Sequence, residues 1–189
     1  MSTDRAIPNN LPVSRRLITS HNAAGQAVFH TVDQGHLKPV LGAVAQYNTV
    51  YSTVKTPIDL ENDEDIRVNE ANQDLPLSIR GGSVCRIVDM EPRGRAPMHR
   101  TESVDYGIVI FGEAELILDS GETQLMRPGD VVVQRATKHS WYNPSKENWV
   151  RVAFVLLEAL PVRVQGQILG EELSGLSSDH PSTANFKSH

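Results

Sequence analysis

The chain of 189 residues is mildly acidic, with 18 Lys and Arg against 23 Asp and Glu, and its length suits one domain. No basic stripe points to nucleic acid as a partner, and no apolar run approaches the ~20 residues of a membrane helix. The one cysteine, Cys85, excludes an internal disulfide framework and suits a reducing compartment. Because the first ten residues also lack the apolar segment of a signal peptide, we expect a cytoplasmic protein.

The first half of the chain predicts an arm, a hairpin and a strand. Residues 1–13 are polar, carry two prolines and predict a flexible arm. Residues 15–32 predict a hairpin, since two strand-like runs flank a turn-rich stretch at 22–26. Residues 44–54 are rich in Val, Thr and Tyr and predict a further strand. Residues 57–80 hold an acidic cluster and two prolines, and they predict an irregular surface loop, a candidate lid over a pocket.

From residue 82 onwards the pattern predicts short strands separated by Gly, Pro and Asp turns. These strands are 83–89, 106–111, 113–118, 123–126, 131–134 and 149–157. Such spacing is typical of an all-β sandwich or barrel. Residues 166–176 predict one short helix, and residues 177–189, rich in Ser, Asp, Pro and Thr, predict a disordered tail.

Two of the seven histidines stand in positions that predict a site. His99 follows a proline- and glycine-rich approach at 91–98, and His139 follows a predicted strand and leads into an aromatic run. His21 and His30 flank the predicted hairpin and favour a structural role. The remaining histidines lie in polar or tail segments that predict no site: His36, His180 and His189.

The residues around His99 resemble the first motif of the cupin superfamily. In that family a glycine is followed by His-x-His, then a glutamate, then a second glycine. Here the motif extends from Gly94 through His99, Thr101 and Asp105 to Gly112.

The second cupin motif is similar to the stretch that begins at Gly121 and ends with His139 and Asn143. A Pro-Gly-Asp turn at 128–130, frequent in the family, lies between them, whereas Gln134 to Lys138 stands where the family has Pro-x-Gly. The resemblance covers residues 82–158.

The resemblance implies an all-β fold, a double-stranded β-helix (cupin or jelly-roll barrel), here with an N-terminal hairpin arm. The barrel, with the hairpin and the 57–80 loop, would occupy residues 14–165, and residues 166–189 would form the short helix and tail. More narrowly, the chain resembles small single-domain cupins of the cupin-2 type, several of them fungal proteins of polyketide and other secondary metabolism described as cupin-type oxidoreductases.

The resemblance also implies the site, with two departures from the family pattern. Thr101 replaces the second histidine and Asp105 replaces the glutamate, so a four-ligand metal site is lost. His99, Asp105 and His139 would remain as catalytic residues and as a two-histidine, one-carboxylate triad for a divalent metal, iron first, then zinc, manganese or nickel. Without a metal, a His–Asp pair could act as a general acid–base, or the three side chains could form a polar network in a binding pocket.

Further side chains near these motifs are candidates for substrate binding. Tyr106, Trp141 and Tyr142 could form an aromatic wall for a planar substrate, with barrel core as the alternative for Trp141. Thr101 would share the inward face of His99, and Gln134 could donate a hydrogen bond to a substrate oxygen. Two arginines could pair with a substrate carboxylate, although surface salt bridges are their alternative role: Arg100 and Arg135. Glu102 could replace the missing ligand if its turn bends inward.

Two function classes remain open from the sequence. One is an enzyme on a small aromatic or polyketide-like molecule, using metal-assisted oxidation or lyase chemistry (decarboxylase or dehydratase). Its metal-free version would be an isomerase, dehydratase or cyclase. The other class is a non-catalytic small-ligand binding module. We also expect a homodimer in which residues 10–35 cover or pair with the partner barrel, because an open barrel edge invites pairing.

Overall fold

The computed structural model describes residues 9–72, 74–176 and 178–186, which fold almost entirely as β-structure. The strands are β1 Arg16–His21, β2 Ala27–Asp33, β3 Leu37–Val40, β4 Ala45–Thr53, β5 Ser83–Met90, β6 Ser103–Phe111, β7 Ala114–Leu118, β8 Thr123–Met126, β9 Val131–Arg135, β10 His139–Tyr142, β11 Val150–Glu158, β12 Val162–Val164 and β13 Gln167–Leu169. One α-helix, α1 Glu64–Ala71, and three short 3₁₀ turns, Leu41–Ala43, Glu61–Asp63 and Thr183–Asn185, complete the described elements.

Two antiparallel sheets form the barrel, one of six strands in the order β3-β4-β5-β11-β6-β9 and one of three strands in the order β10-β7-β8. The β1–β2 hairpin stands apart as a two-stranded sheet. One apolar cluster joins the two large sheets, with Val109 and Val152 from one and Leu116 and Trp141 from the other. The all-β jelly-roll barrel with an N-terminal hairpin arm is therefore confirmed.

The alternation of buried and exposed side chains along β6 shows which of them face the interior of the barrel. Ser103, Asp105, Gly107 and Val109 are buried, whereas Tyr106 between them is exposed. Successive side chains of a strand point to opposite faces, so this one set faces inward. At Gly107 an added Cβ would meet a Phe154 ring carbon at 3.0 Å and a Trp141 ring carbon at 3.3 Å.

The segment 57–80 is not the irregular surface loop that the sequence predicts. It contains α1, whose Ile66 is buried and whose Asn69 accepts a hydrogen bond from the Ser52 backbone at 2.9 Å. Acidic residues at the start of α1 suit the positive end of the helix dipole. Farther on, Leu75 and Ile79 pack with Val84 of β5 in a second small core. The acidic cluster therefore marks a helix start, and the apolar residues after it are core.

The prediction of a short helix at 166–176 is wrong, because β12 and β13 form a hairpin there. Gln165 and Gly166 both adopt positive φ, 50° and 82°, as a two-residue hairpin turn requires. A domain boundary between residues 165 and 166 would cut this turn.

Both predicted mobile ends pack on the barrel where the structure describes them. In the arm, Asn9 donates to Asp89 at 2.9 Å and the Pro12 carbonyl accepts from Arg151 at 2.6 Å. In the tail, His180 is only 5% exposed and Thr183 donates to Glu171 at 2.7 Å. Residues 1–8, 177 and 187–189 lie outside the described residues. The described parts of the arm and the tail thus have specific contacts, and their predicted flexibility and disorder stay predictions.

Within the described residues, no helix is both long and apolar enough to cross a membrane.

Candidate functional site

A cavity of about 120 Å³ lies inside the barrel, between the two sheets and the C-terminal tail. Its wall is mostly apolar. Its polar side chains form two groups, the first being His99, Thr101, Asp105, Gln134 and His139 and the second Tyr47, Arg86 and His180. The structure therefore places seven of the predicted candidates around one cavity, namely the first group together with Trp141 and Tyr142. It adds the three residues of the second group, which the sequence did not indicate.

The two predicted histidines lie side by side. A pair of backbone hydrogen bonds, each 2.9 Å from N to O, joins His99 to His139, and the centroids of their rings are 4.5 Å apart. Nδ1 of His99 lies 2.8 Å from the Pro97 carbonyl, and Nδ1 of His139 lies 2.8 Å from the Thr137 carbonyl. Since a carbonyl only accepts, Nδ1 is the protonated nitrogen of each ring, and Nε2 keeps a free lone pair.

Burial keeps both imidazoles neutral. It lowers the pKa of His99 to about 4, with added repulsion from His139. Burial also lowers the pKa of His139. Both rings are therefore neutral at pH 7, and either could accept a proton at Nε2.

Asp105 is held by neutral donors rather than by a histidine. Ser103 Oγ donates to Asp105 Oδ1 at 2.5 Å, and Gln134 Nε2 donates to Oδ2 at 3.0 Å, with Thr101 Oγ1 at 3.4 Å from Oδ2. Trp141 Nε1 donates to Gln134 Oε1 at 3.0 Å, which fixes the amide orientation. Burial raises the pKa of Asp105, and the hydrogen bonds from Ser103, Gln134 and Thr101 oppose this shift. Sequence reasoning missed Ser103, although it shares the inward parity of Asp105.

The donor set does not assemble a three-ligand metal site in this arrangement. Among the described residues, no group of three or more His, Cys, Asp and Glu side chains could hold a metal ion. His99 and His139 offer two imidazole nitrogens, but the oxygens of Asp105 are engaged by the amide and hydroxyl donors instead. Two of the three predicted ligands are thus suitably presented and the third is not.

Several predicted substrate contacts lie elsewhere. Tyr106 is 40% exposed on the outer face, because it alternates with Asp105, so its place in an aromatic wall is wrong. Trp141 and Tyr142 do line the cavity. Arg100 is bridged to Glu172 through its backbone, and its side chain reaches the Gly170 carbonyl at 3.4 Å rather than the cavity. Two more candidates lie outside the cavity wall, Glu102 and the exposed Arg135.

The second polar group joins β4, β5 and the tail. The His180 ring stacks on the Tyr47 ring, with the two ring centroids 5.2 Å apart. The Arg86 guanidinium lies 5.1 Å from the Tyr47 ring centroid and forms a cation–π interaction with it. Burial and the nearby charge of Arg86 lower the pKa of His180 to about 4. The sequence held one signal for this group, since Arg86 shares the inward parity of its buried β5 neighbour Val84.

Comparisons with known proteins identify a family and several proteins to which this chain is similar. The Cupin domain family matches residues 86–156. "Phomopsin biosynthesis cluster protein C'" of Diaporthe leptostromiformis is 44% identical over 177 residues, covering 92% of this chain and 93% of that protein. "Cupin-domain-containing oxidoreductase virC" of Hypocrea virens is 46% identical over 150 residues, covering 78% and 77%. Among solved structures, the polyketide cyclase RemF of Streptomyces resistomycificus is 17% identical with a TM-score of 0.42, covering 73% of this chain and 72% of that one.

Proposed function

The chain belongs to the cupin family, of the cupin-2 type found in fungal secondary metabolism, and we propose that it is a small-molecule enzyme that transfers a proton at the His99–His139 pair. The observation that carries the proposal is the fixed tautomer of both rings. Each Nδ1 is bound to a backbone carbonyl, so each Nε2 offers its lone pair from the wall of an apolar cavity. A neutral imidazole held in this way is suited to general base catalysis.

The proposed step removes a proton from a carbon next to a substrate carbonyl. Nε2 of His139 takes the proton, and the electron pair of the broken C–H bond moves onto the carbonyl oxygen. The Thr101 hydroxyl, on the wall of the same cavity, donates a hydrogen bond to that oxygen as its charge develops. Return of the proton to another atom gives isomerisation, and loss of a leaving group gives dehydration; attack on a second carbonyl gives cyclisation. The apolar cavity with Trp141 and Tyr142 suits an aromatic or polyketide-like molecule.

Solvent-exchange NMR tests the proposal without a known substrate. Small aromatic ketones and β-dicarbonyl compounds are incubated with the protein in D₂O, and exchange of the acidic C–H is followed. We expect His139→Gln to slow the protein-catalysed exchange by about 10²–10⁴-fold, the usual contribution of a general base. Tyr106→Phe, on the outer face, is the matched control and keeps the wild-type rate. Equal exchange by wild type and His139→Gln refutes the proposal.

Metal-assisted oxidation or lyase chemistry is the second candidate. Its support is the same pinning of Nδ1 to carbonyls, a pattern common in metal-binding histidines, and the names of the oxidoreductase relatives. His99 and His139 would hold the ion, and Asp105 would complete the triad after leaving Gln134. When bound, the ion would supply Lewis acidity or, if iron, redox chemistry.

Elemental mass spectrometry on protein purified without chelator separates the two candidates. The metal candidate requires about one iron, zinc, manganese or nickel per chain, lost in both His99→Ala and His139→Ala. C–H exchange that persists after chelation supports proton transfer by the protein alone. A ligand that binds and stays unchanged for hours in the wild type would instead indicate a non-catalytic binding module.

We also propose a homodimer in which the β1–β2 hairpin covers the partner barrel. The hairpin exposes apolar side chains, Phe29 at 65% among them, and the outer face of β6 and β9 exposes Val131 and Val133. Light scattering at micromolar concentration should give the mass of two chains, and Phe29→Ser should shift it toward one. Leu160→Ser, at another exposed apolar position, should leave the mass unchanged. A wild-type monomer excludes this arrangement.

A further inference from the structure

Arg86 is a buried charge in the wall of the cavity. Its side chain is 2% exposed, and its two Nη atoms donate to backbone carbonyls of the segment before β5. The acceptors are Leu75 at 3.4 Å, Pro76 at 2.5 Å and Leu77 at 3.2 Å. Its Nε is buried and has no hydrogen-bond partner among the described residues. A guanidinium has five N–H donors, so this one keeps donor capacity that the fold leaves unused.

No carboxylate of the described residues forms an ion pair with Arg86. Burial lowers the pKa of Arg86 to about 10, and Tyr47 opposes this shift. Arg86 therefore remains protonated at neutral pH. An uncompensated buried charge is costly, and such groups are normally paired.

Strand register places this charge at a useful distance from the proposed reaction centre. Phe154 of β11 pairs with Arg86, while Leu156 pairs with Asp105 of β6, so the two side chains lie two strands and two residues apart. With strands ~4.8 Å apart and a rise of ~3.4 Å per residue, their Cα atoms are about 12 Å from each other. Both side chains line the same cavity. A molecule of one ring with one polar arm can span this gap.

We propose that Arg86 binds a carboxylate of the substrate through its guanidinium, which lines the cavity, so that the enzyme acts on small apolar carboxylic acids. The inference rests on the proposed function for the identity of the reacting end, but carboxylate binding itself does not depend on catalysis. The apolar body of the acid lies in the cavity, whose wall is mostly apolar. Arg86 then fixes which end of the molecule faces His139.

A purely structural role for Arg86 makes a different prediction. If the guanidinium only ties the 75–77 carbonyls to β5, the cavity has no preference between a carboxylic acid and its uncharged amide. If Arg86 receives the substrate carboxylate, the acid binds better, because a charge-assisted hydrogen bond is roughly twice as strong as a neutral one and the buried charge gains its counter-ion.

Benzoate and benzamide are matched probes, since they share the ring and differ in charge. Each is titrated into the full chain at pH 7.5, and the indole N–H signal of Trp141, which lines the cavity, reports binding by ¹H–¹⁵N NMR. The proteins are wild type, Arg86→Met, Arg86→Lys and the control Arg163→Met, which removes an exposed charge in β12. We expect wild type and the control to bind benzoate about tenfold more tightly than benzamide. Arg86→Met should bind both about equally, and Arg86→Lys should keep part of the preference.

Equal affinity of wild type for the two probes overturns the proposal, and this comparison needs no variant that might misfold. A benzoate preference that survives in folded Arg86→Met also overturns it. The readout is separate from catalysis: His139→Gln should lose C–H exchange yet keep the benzoate preference. Loss of exchange chemistry in every protein, with the preference intact, would contradict the proposed function while leaving carboxylate binding by Arg86 supported.

Discussion

Two arginines lie buried on the neighbouring strands β5 and β11, and their surroundings differ. Arg151 makes a bidentate ion pair with Asp89, Nε to Oδ1 at 2.6 Å and Nη2 to Oδ2 at 2.7 Å, and Asp89 is 1% exposed. Arg86 has backbone carbonyls, the Tyr47 ring and a cavity around it, and no carboxylate of the described residues. One buried charge is thus neutralised by a carboxylate of the chain, whereas the other has no carboxylate partner among the described residues.

The largest expected effect is on the paired arginine. Breaking a buried ion pair by removing one partner leaves an uncompensated charge, so Asp89→Asn or Arg151→Met should lower the free energy of unfolding by about 3–5 kcal/mol. Urea unfolding followed by tryptophan fluorescence measures this. Arg86→Met is the matched comparison and should cost clearly less, because it removes a charge that had no carboxylate partner. Equal losses in both variants would show that the two arginines serve the same structural purpose.

The next effect concerns pH at the Arg86 end of the cavity. The folded pKa of His180, about 4, lies below its unfolded value of about 6.5, because burial and the charge of Arg86 disfavour the charged ring. Lys38 also lowers this pKa, while the Leu75 carbonyl and Asp179 oppose the shift. Between these values the unfolded chain binds more protons. His180 therefore contributes no penalty above pH 6.5, and stability is lost as pH falls toward 4, by an amount on the order of 3 kcal/mol.

The variant His180→Phe tests this, since it keeps a ring against Tyr47 but cannot titrate. Its free energy of unfolding should depend less steeply on pH between 4 and 6.5 than that of wild type. Some dependence remains, because His99 has a lowered pKa as well. His21→Phe, at an exposed position, should keep the wild-type slope. Identical slopes for wild type and His180→Phe would mean that His180 is not buried in solution.

The same two regions show how far the sequence could predict the structure. Strand alternation and turns were enough to predict an all-β sandwich or barrel. The resemblance to the two cupin motifs then implied the barrel and placed His99 and His139 in one site. The predicted triad of His99, Asp105 and His139 is not assembled in the structure. The sequence could not show that Gln134 and Ser103 donate hydrogen bonds to Asp105. The sequence did not predict the group formed by Tyr47, Arg86 and His180. A single basic residue in an apolar strand does not indicate locally whether it has a carboxylate partner.

Tertiary contacts over long sequence separations explain the remaining errors. His180 is 133 positions after Tyr47, and nothing in a Ser- and Pro-rich tail predicts that its ring stacks there. The sequence predicts a helix at 166–176, but the structure has a hairpin there. Its turn is formed by Gln165 and Gly166, which both adopt positive φ. Such information is in the packing, not in the local pattern.

The smallest expected effect concerns the contact between the N-terminal arm and the Arg151–Asp89 pair. Asn9 donates to Asp89 Oδ2 at 2.9 Å, so the N-terminal arm adds a neutral hydrogen bond to a charge that Arg151 already compensates. Asn9→Ala should therefore cost about 1.5–3 kcal/mol in urea unfolding, the contribution of one hydrogen bond to a charged group. Asn10→Ala, at the adjacent exposed position, should cost nothing measurable. A loss as large as that of Asp89→Asn would mean that the arm, rather than Arg151, is the main partner of Asp89. The barrel would then need its arm to keep this charge buried, and the contrast with Arg86 would lie in the arm instead of in β11.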